Sequence, residues 1–324
     1  MFALGNASAL ALGAYLYADG TFKIGAVYLL FHYTNMLIRP IERITFQLED
    51  LQRAGASVGR IEELRSTVSK VQPGAGAVLP DRPPGISFDS VSFSYVEAEP
   101  VLRDLTFDLP SGRIVGLLGR TGSGKTTLGR LLLRLHDLEA GTISLGGQDI
   151  ARVDLPVLRR RVAMVTQSVH LFQATVRNNL TLFDPNVSGR EITRGLSQLG
   201  LEDWVGSLPH GIDTELSADG SGLSAGEAQL LAFARIFLLQ DPGLVVLDEV
   251  SSRLDQATEE HIETAIDRLV QDRTAVIIAH RLATVRKADH ILILDDGRIE
   301  EFGPREKLER DSNSPFLYPQ PSEG

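Results

Sequence analysis

The sequence predicts an α/β protein built on a mostly parallel sheet, with a separate α-helical segment ahead of it. Short apolar runs (RIVGLLG, VAMVTQ, LVVLD, AVIIA and HILIL) alternate with helical stretches such as TTLGRLLLRL, AGEAQLLAFARIFLLQ and TEEHIETAIDRLV. That alternation is the pattern of buried parallel strands joined by helices. Glycine is frequent, at 30 residues against only 6% aromatics, as a fold with functional loops requires. The N-terminal region is different, being dominated by two uncharged apolar stretches.

A chain of 324 residues has room for about two domains. Its 32 basic residues against 42 acidic ones leave a net charge of −10, which argues against gripping a nucleic acid through bulk positive charge. A local phosphate site is still compatible with that balance. With no cysteine, disulfide scaffolds and thiolate metal sites are excluded, and a reducing compartment suits the soluble part.

Taken in order, Phe2 to Ala18 is a 17-residue run without a charged side chain, and a second uncharged run extends from Ile24 to Ile38. Both are slightly shorter than the roughly 20 residues that a spanning helix needs, but helices with snorkelling ends still span. A signal peptide is disfavoured, because no Lys or Arg precedes the first run. A buried helical hairpin of a soluble domain is the alternative, and His32, Thr34 and Asn35 would suit it. The flank favours the membrane: RPIERITFQLEDLQRAGASVGRIEELR is charged and amphipathic, as a stalk leaving a bilayer would be. Arg39, Arg43, Arg53 and Arg60 place that side in the cytoplasm by the positive-inside rule, and Asp19 to Lys23 outside. His32, Thr34 and Asn35 then read as interhelical hydrogen-bonders or as pathway lining.

The stretch VQPGAGAVLPDRPPG carries Pro73, Pro80, Pro83 and Pro84 with three glycines, and predicts an irregular linker. From Ile86 the strands begin with ISFDSVSFSYV, alternating with period two. The expected organisation is a partial transmembrane domain at 1–68, a linker at 69–85, an α/β domain at 86–310 and a disordered tail at 311–324. No internal repeat is visible.

The strand RIVGLLG runs directly into Gly119-Arg120-Thr121-Gly122-Ser123-Gly124-Lys125-Thr126, matching GxxxxGK[ST] in a strand–loop–helix setting. Glycines let successive backbone N–H groups curl around a phosphate, Lys125 supplies a point charge, and the Thr126 hydroxyl suits Mg²⁺. A second strand, LVVLD, ends in Asp248-Glu249, where a nucleotide hydrolase needs one carboxylate for Mg²⁺ and one to polarise the attacking water. Between them, Leu223-Ser224-Ala225-Gly226-Glu227 opens an amphipathic helix. Ser224 and Glu227 read as a capping box, and the same helix start is a candidate anion site.

On these residues the segment from Ile86 to about Leu308 resembles the nucleotide-binding domain of an ABC transporter. LSAGE is similar to the family's LSGGQ signature and stands just upstream of LVVLDE. The resemblance implies a P-loop NTPase fold of ABC type with an antiparallel β subdomain and a helical subdomain, and an ATP hydrolase using ATP and Mg²⁺. It implies that Gly119, Thr121, Gly122, Ser123, Gly124, Lys125, Thr126 and Thr127 bind nucleotide, with Tyr95 stacking on adenine. Mg²⁺ falls to Thr126, Gln167 and Asp248. Catalysis falls to Glu249 as base, with Lys125, Gln167 and His280 around the γ-phosphate, and Asp255 in the loop after the catalytic acid. Two cassettes would close head to tail, so that Ser224 and Gly226 of one complete the site of the other.

The N-terminal region is similar to the last two membrane helices of an ABC exporter, which implies a plasma-membrane location with the cassette on the cytoplasmic side. Its partners would be a second ABC half, further transmembrane helices from a longer subunit or a separate polypeptide, and membrane lipid, with no nucleic acid. A regulatory or truncated cassette that binds ATP without transport is an alternative, and a DNA-repair-type ABC clamp a remote one. Ala225 and Glu227 replace the Gly and Gln of the signature, and Arg253 replaces a small residue. Glu227 brings negative charge to an anion site and is expected to slow hydrolysis.

Overall fold

A computed structural model describes residues 2–69, 71–217, 223–238, 242–248, 256–279, 285–311 and 314–317. The chain divides into two units, Met1–Ser69 and Lys70–Gly324.

The first unit is a helical hairpin of α1 (Phe2–Ala18) and α2 (Ile24–Ser66). The 43 residues of α2 make a rod about 65 Å long at the α-helical rise. The two helices approach closely at Gly13, where a Cβ would come within 2.8 Å of Val27 Cγ1. Asn6 Nδ2 donates to Asn35 Oδ1 at 3.0 Å, so of the three polar residues expected to bond between helices it is Asn35 that does. Thr34 bonds its own helix at the Leu30 carbonyl, and His32 stacks on Tyr28 with centroids 5.9 Å apart. Tyr28, Tyr33, Met36 and Leu37 are exposed. Among the described residues no helix is long and apolar enough to cross a membrane; α1 is 17 residues, and α2 turns charged from Arg39 onward.

In the second unit β1 (Ile86–Ser94) and β2 (Pro100–Leu109) form an antiparallel pair, and β3 (Ile114–Gly119) leads into α3 (Lys125–Leu132). Next come β4 (Ala140–Leu145), β5 (Gln148–Asp149), α4 (Leu155–Arg161) and β6 (Val162–Val165). A mainly helical excursion follows: β7 (Ala174–Thr175), α5 (Val176–Thr181), α6 (Gly189–Leu199), α7 (Glu202–Ser207), β8 (Glu215–Leu216) and α8 (Ala225–Leu238). The chain re-enters the sheet through β9 (Leu244–Asp248), α9 (Gln256–Val270) and β10 (Thr274–Ile278). It closes with β11 (His290–Asp295), β12 (Arg298–Pro304) and α10 (Arg305–Leu308).

The strands assemble as a four-stranded antiparallel sheet, β2-β1-β4-β5, and a six-stranded sheet, β12-β11-β3-β10-β9-β6, parallel except for β12. Every residue of β9 and β10 is buried, which explains their unbroken apolar sequence: helices or loops cover both faces of a parallel sheet. One core joins the antiparallel sheet, α3 and the near face of the parallel sheet, and a second packs α5, α6, α8 and α9 on its other face.

Two stretches carry anchoring contacts that the sequence did not show. Residues 71–85 contain no helix or strand beyond a bridge between Ala77 and Val153, irregular as expected, and they are strapped to the α/β unit by side-chain contacts. Leu79 is buried in the first core, Arg161 Nη2 donates to the carbonyls of Pro80 and Asp81 at 2.6 Å each, and Thr274 Oγ1 donates to that of Pro84 at 2.7 Å. Prolines forbid regular ladders but leave carbonyls for side chains to bind. In the tail, expected to be disordered, Phe316 packs into a small cluster with Ile291, Ile293 and Leu308, and Ser314 bonds Glu301. The apolar patch around Phe316 finds a place against β11 and α10, and the remainder of the tail lies outside the described residues.

Candidate functional site

The parallel register aligns the strand ends: Leu117 of β3 pairs with Ile278, Ile278 with Asp248, and Leu247 with Val165. The loop after β3, the carboxylate closing β9 and Gln167 after β6 therefore meet at one carboxyl edge of the sheet, where open α/β sheets bind ligands.

The loop has its shape because Gly119, Gly122 and Gly124 all have positive φ (+145°, +84° and +100°), a conformation that costs other residues steric energy. Two of the three are also crowded. A Cβ at Gly119 would lie 2.2 Å from the Leu294 carbonyl oxygen, and one at Gly124 2.4 Å from Leu102 Cδ2. This left-handed turning curls backbone N–H groups into a concave anion nest that continues into the first turn of α3.

Lys125 opens α3 and is 5% exposed. Its Nζ donates to the Gly119 and Arg120 carbonyls at 2.8 Å each, which pins the ammonium over its own loop. Ser123 is 3% exposed, and its buried Oγ has no hydrogen-bond partner among the described residues. Buried hydroxyls are normally satisfied, so this one fits a site completed by an oxygen-rich ligand. Thr126 Oγ1 stands 3.5 Å from Asp248 Oδ1, at the limit of a hydrogen bond. A hydroxyl and a carboxylate at that spacing suit a hard cation that keeps waters and takes its remaining ligands from phosphate. Among the described residues no group of three His, Asp or Glu is placed to hold a metal alone.

Tyr95 follows β1 and is 45% exposed. Its hydroxyl lies 3.2 Å from Thr127 Oγ1 and accepts from Arg130 Nη1 at 3.2 Å. Its ring meets Phe93 and His136 edge-on at 4.9 and 5.1 Å. The aromatic is thereby fixed against α3 with much of its surface open, as a stacking platform requires.

The second group of expected residues lies at the start of α8. Ser224 N–H donates to Glu227 Oε2 at 2.6 Å, and Glu227 N–H to Ser224 Oγ at 3.2 Å, which is the capping box read from the sequence. The other carboxylate oxygen, Oε1, accepts from Trp204 Nε1 at 2.7 Å. Farther along α8, Arg235 donates to the Asn179 and His170 carbonyls at 2.8 and 3.1 Å, and burial pushes its pKa down. Asn179, fully buried, accepts from Phe172 N–H at 2.8 Å and donates to the carbonyls of Phe172, Ala174 and Thr175. The segment that follows Gln167 is thus tied to α8.

The structure brings together Tyr95, the loop from Gly119 to Thr127, and Asp248, with Gln167 beside them. Glu249, Asp255 and His280 lie outside the described residues. Arg130, His136, Asn179 and Trp204 do not stand out in the sequence, because each acts on a partner remote in the chain. Arg235 had a visible signal, as the one charge in the run LLAFARIFLL.

A glycine-cradled loop at a sheet edge, with a buried lysine, a threonine and a facing aspartate, defines a P-loop nucleotide-binding protein. Residues 102–252 match the family model described as ABC transporter. The chain is 40% identical over 297 residues to a "probable multidrug resistance ABC transporter ATP-binding/permease protein" of Bacillus subtilis, covering 91% of this chain and 44% of that protein. It is 39% identical over 292 residues to an ATP-dependent lipid A-core flippase of Idiomarina loihiensis, covering 89% and 50%. A solved bacterial Atm1-family ABC exporter with ATP bound superposes with a TM-score of 0.73 at 31% identity, over 100% of this chain and 57% of that one. Residues 102–252 thus carry an ABC transporter ATP-binding cassette, and the chain is similar along most of its length to exporter-type members of that family. It spans about half the length of the curated relatives it matches.

Proposed function

We propose that the chain is the ATP-hydrolysing part of an ABC exporter subunit, with the cassette at 86–310 on the cytoplasmic side and 1–68 contributing membrane helices and stalk. The observation that carries the hydrolase reading is the loop: a left-handed glycine cradle, a buried Lys125 and an orphaned Ser123 hydroxyl beside the Thr126–Asp248 pair. The membrane reading is supported by the exporter relatives and by the uncharged runs with their cytoplasmic arginines, in segments shorter than a spanning helix ordinarily needs.

In this reading the loop amides and Lys125 bind the β and γ phosphates of ATP, with Gly119, Thr121, Gly122, Ser123, Gly124 and Thr127 shaping the cradle and Tyr95 stacking on the base. Thr126, Gln167 and Asp248 would hold Mg²⁺, which would neutralise phosphate charge when bound. Glu249 takes the proton of the attacking water, while Lys125, Gln167 and His280 stabilise charge developing on the γ-phosphate. Such catalysis is mainly positioning and electrostatics. Ser224 and Gly226 are presented by α8 to the nucleotide of a second cassette, so ATP stabilises a head-to-tail dimer and its hydrolysis releases it. The relatives are named for lipid A-core, fatty acid and multidrug transport, and a lipid or other amphipathic cargo is the class we propose.

The test is ATP binding and turnover by the full chain in detergent or lipid. Glu249→Gln retains Mg-ATP binding and loses hydrolysis, whereas Lys125→Ala loses both. A Glu249→Gln chain that turns over at the parent rate overturns the assignment of the base.

A further inference from the structure

We propose that Trp204 is a positioning residue for ATP turnover, acting through the carboxylate of Glu227. The proposal rests on the hydrolase reading above. The signature here carries a carboxylate where the family pattern has a neutral amide, at the helix end assigned to the γ-phosphate of a partner's ATP. Left to itself, that charge is a fault: it repels the phosphate and competes for the positive end of α8. Both carboxylate oxygens are engaged, Oε2 by Ser224 N–H at 2.6 Å and Oε1 by Trp204 Nε1 at 2.7 Å.

The two donors come from different directions. Ser224 N–H belongs to the cap itself, while Trp204 belongs to α7, 23 residues earlier, and packs on the same core as Leu230 and Phe233 of α8. The indole N–H is a donor with no acceptor capacity, and a hydrogen bond to a carboxylate is about twice as strong as a neutral one. The cap alone leaves the Glu227 side chain one rotation from release. The indole holds it on the α7 side, so that Ser224 and Gly226 face the nucleotide with the carboxylate spent on protein donors. An acidic signature is thereby tolerated, in place of the slowing expected from its charge.

The experiment measures Mg-ATP turnover by the full chain for the parent, Trp204→Phe, Glu227→Gln and the double variant. Trp204→Phe keeps the ring in the core and removes the donor. With Glu at 227 it is expected to raise KM for ATP about tenfold, the worth of one charge-assisted bond, and with Gln at 227 by only about twofold. Equal effects in both backgrounds overturn the proposal and leave Trp204 a packing residue. A readout independent of turnover exists because Trp204 is the chain's single tryptophan: Glu227→Gln, without nucleotide, is expected to shift its emission, and an unchanged spectrum refutes the contact. A parent that does not hydrolyse Mg-ATP overturns the hydrolase reading and the role in turnover together, whereas a turning-over parent with no coupling overturns this proposal alone.

Discussion

Replacing Asn179 by alanine removes the knot that fastens the segment after Gln167 to the signature helix. The side chain is 0% exposed. It accepts from Phe172 N–H at 2.8 Å and donates to the Phe172 and Thr175 carbonyls at 2.9 and 3.1 Å, with a weaker bond to Ala174 at 3.4 Å. Each such bond contributes about 1 kcal/mol net, and a buried donor left unpaired costs about 1–3 kcal/mol. Half-exposed Phe172 lets water reach part of the loop, so the lower end applies and the loss comes to about 3 kcal/mol, more than a hundredfold in the unfolding equilibrium. Urea unfolding followed by Trp204 emission measures it, since Trp204 packs on the same core as α5 and α8. Hydrogen exchange at the Phe172 amide gives a local check, and is expected to accelerate. The alanine variant is also expected to bind ATP at the loop but to hydrolyse it slowly, because Gln167 loses the support of the segment behind it. A loss below about 0.5 kcal/mol, the range of an ordinary surface substitution, with Phe172 exchange unchanged, would refute this account.

Gly124→Ala is expected to abolish ATP binding and to destabilise the cassette by about 2–4 kcal/mol: the residue has φ +100° and its Cβ would lie 2.4 Å from buried Leu102, combining left-handed strain with overpacking. Normal ATP affinity in a folded variant would show that the loop does not need this geometry. The third prediction concerns pH. Hydrogen bonds from Ser188, at the side chain first and the backbone second, hold the Glu191 carboxyl below its ordinary range. A lowered carboxylate stabilises above its unfolded pKa and loses that contribution as pH falls through the folded value. The stability gap between the parent and Glu191→Gln is therefore expected to be full at pH 6 and to shrink below about pH 4; a gap constant from pH 6 to 3 would refute the assignment.

Those features rest on different amounts of sequence information. The phosphate loop was legible because its chemistry is local: glycines, Lys125 and Thr126 lie within eight residues, and the backbone path between them is set by which residues tolerate positive φ. The capping box at Ser224 and Glu227 was legible for the same reason. The strands were legible because a sheet covered on both faces writes continuous apolar runs. Residues 71–85 were legible as irregular but not as anchored, since prolines announce the absence of ladders but not the presence of Arg161, 80 to 81 residues away in the chain, whose guanidinium binds their carbonyls. Phe316 was misread, because a lone apolar cluster in a polar tail gives no hint of the surface that receives it.

The sequence by itself determined where a phosphate could bind, that Asp248 and the Thr126 hydroxyl belong beside that loop, and that α/β alternation would carry them. Tertiary structure alone decided how charge is managed around that site. Trp204 meets Glu227 across 23 residues, Asn179 meets Arg235 across 56, and Thr126 meets Asp248 across 122. Hydrogen bonds and ion contacts act over a few ångströms, so separations of this length become interactions only when the register of a sheet and the packing of helices have fixed both partners.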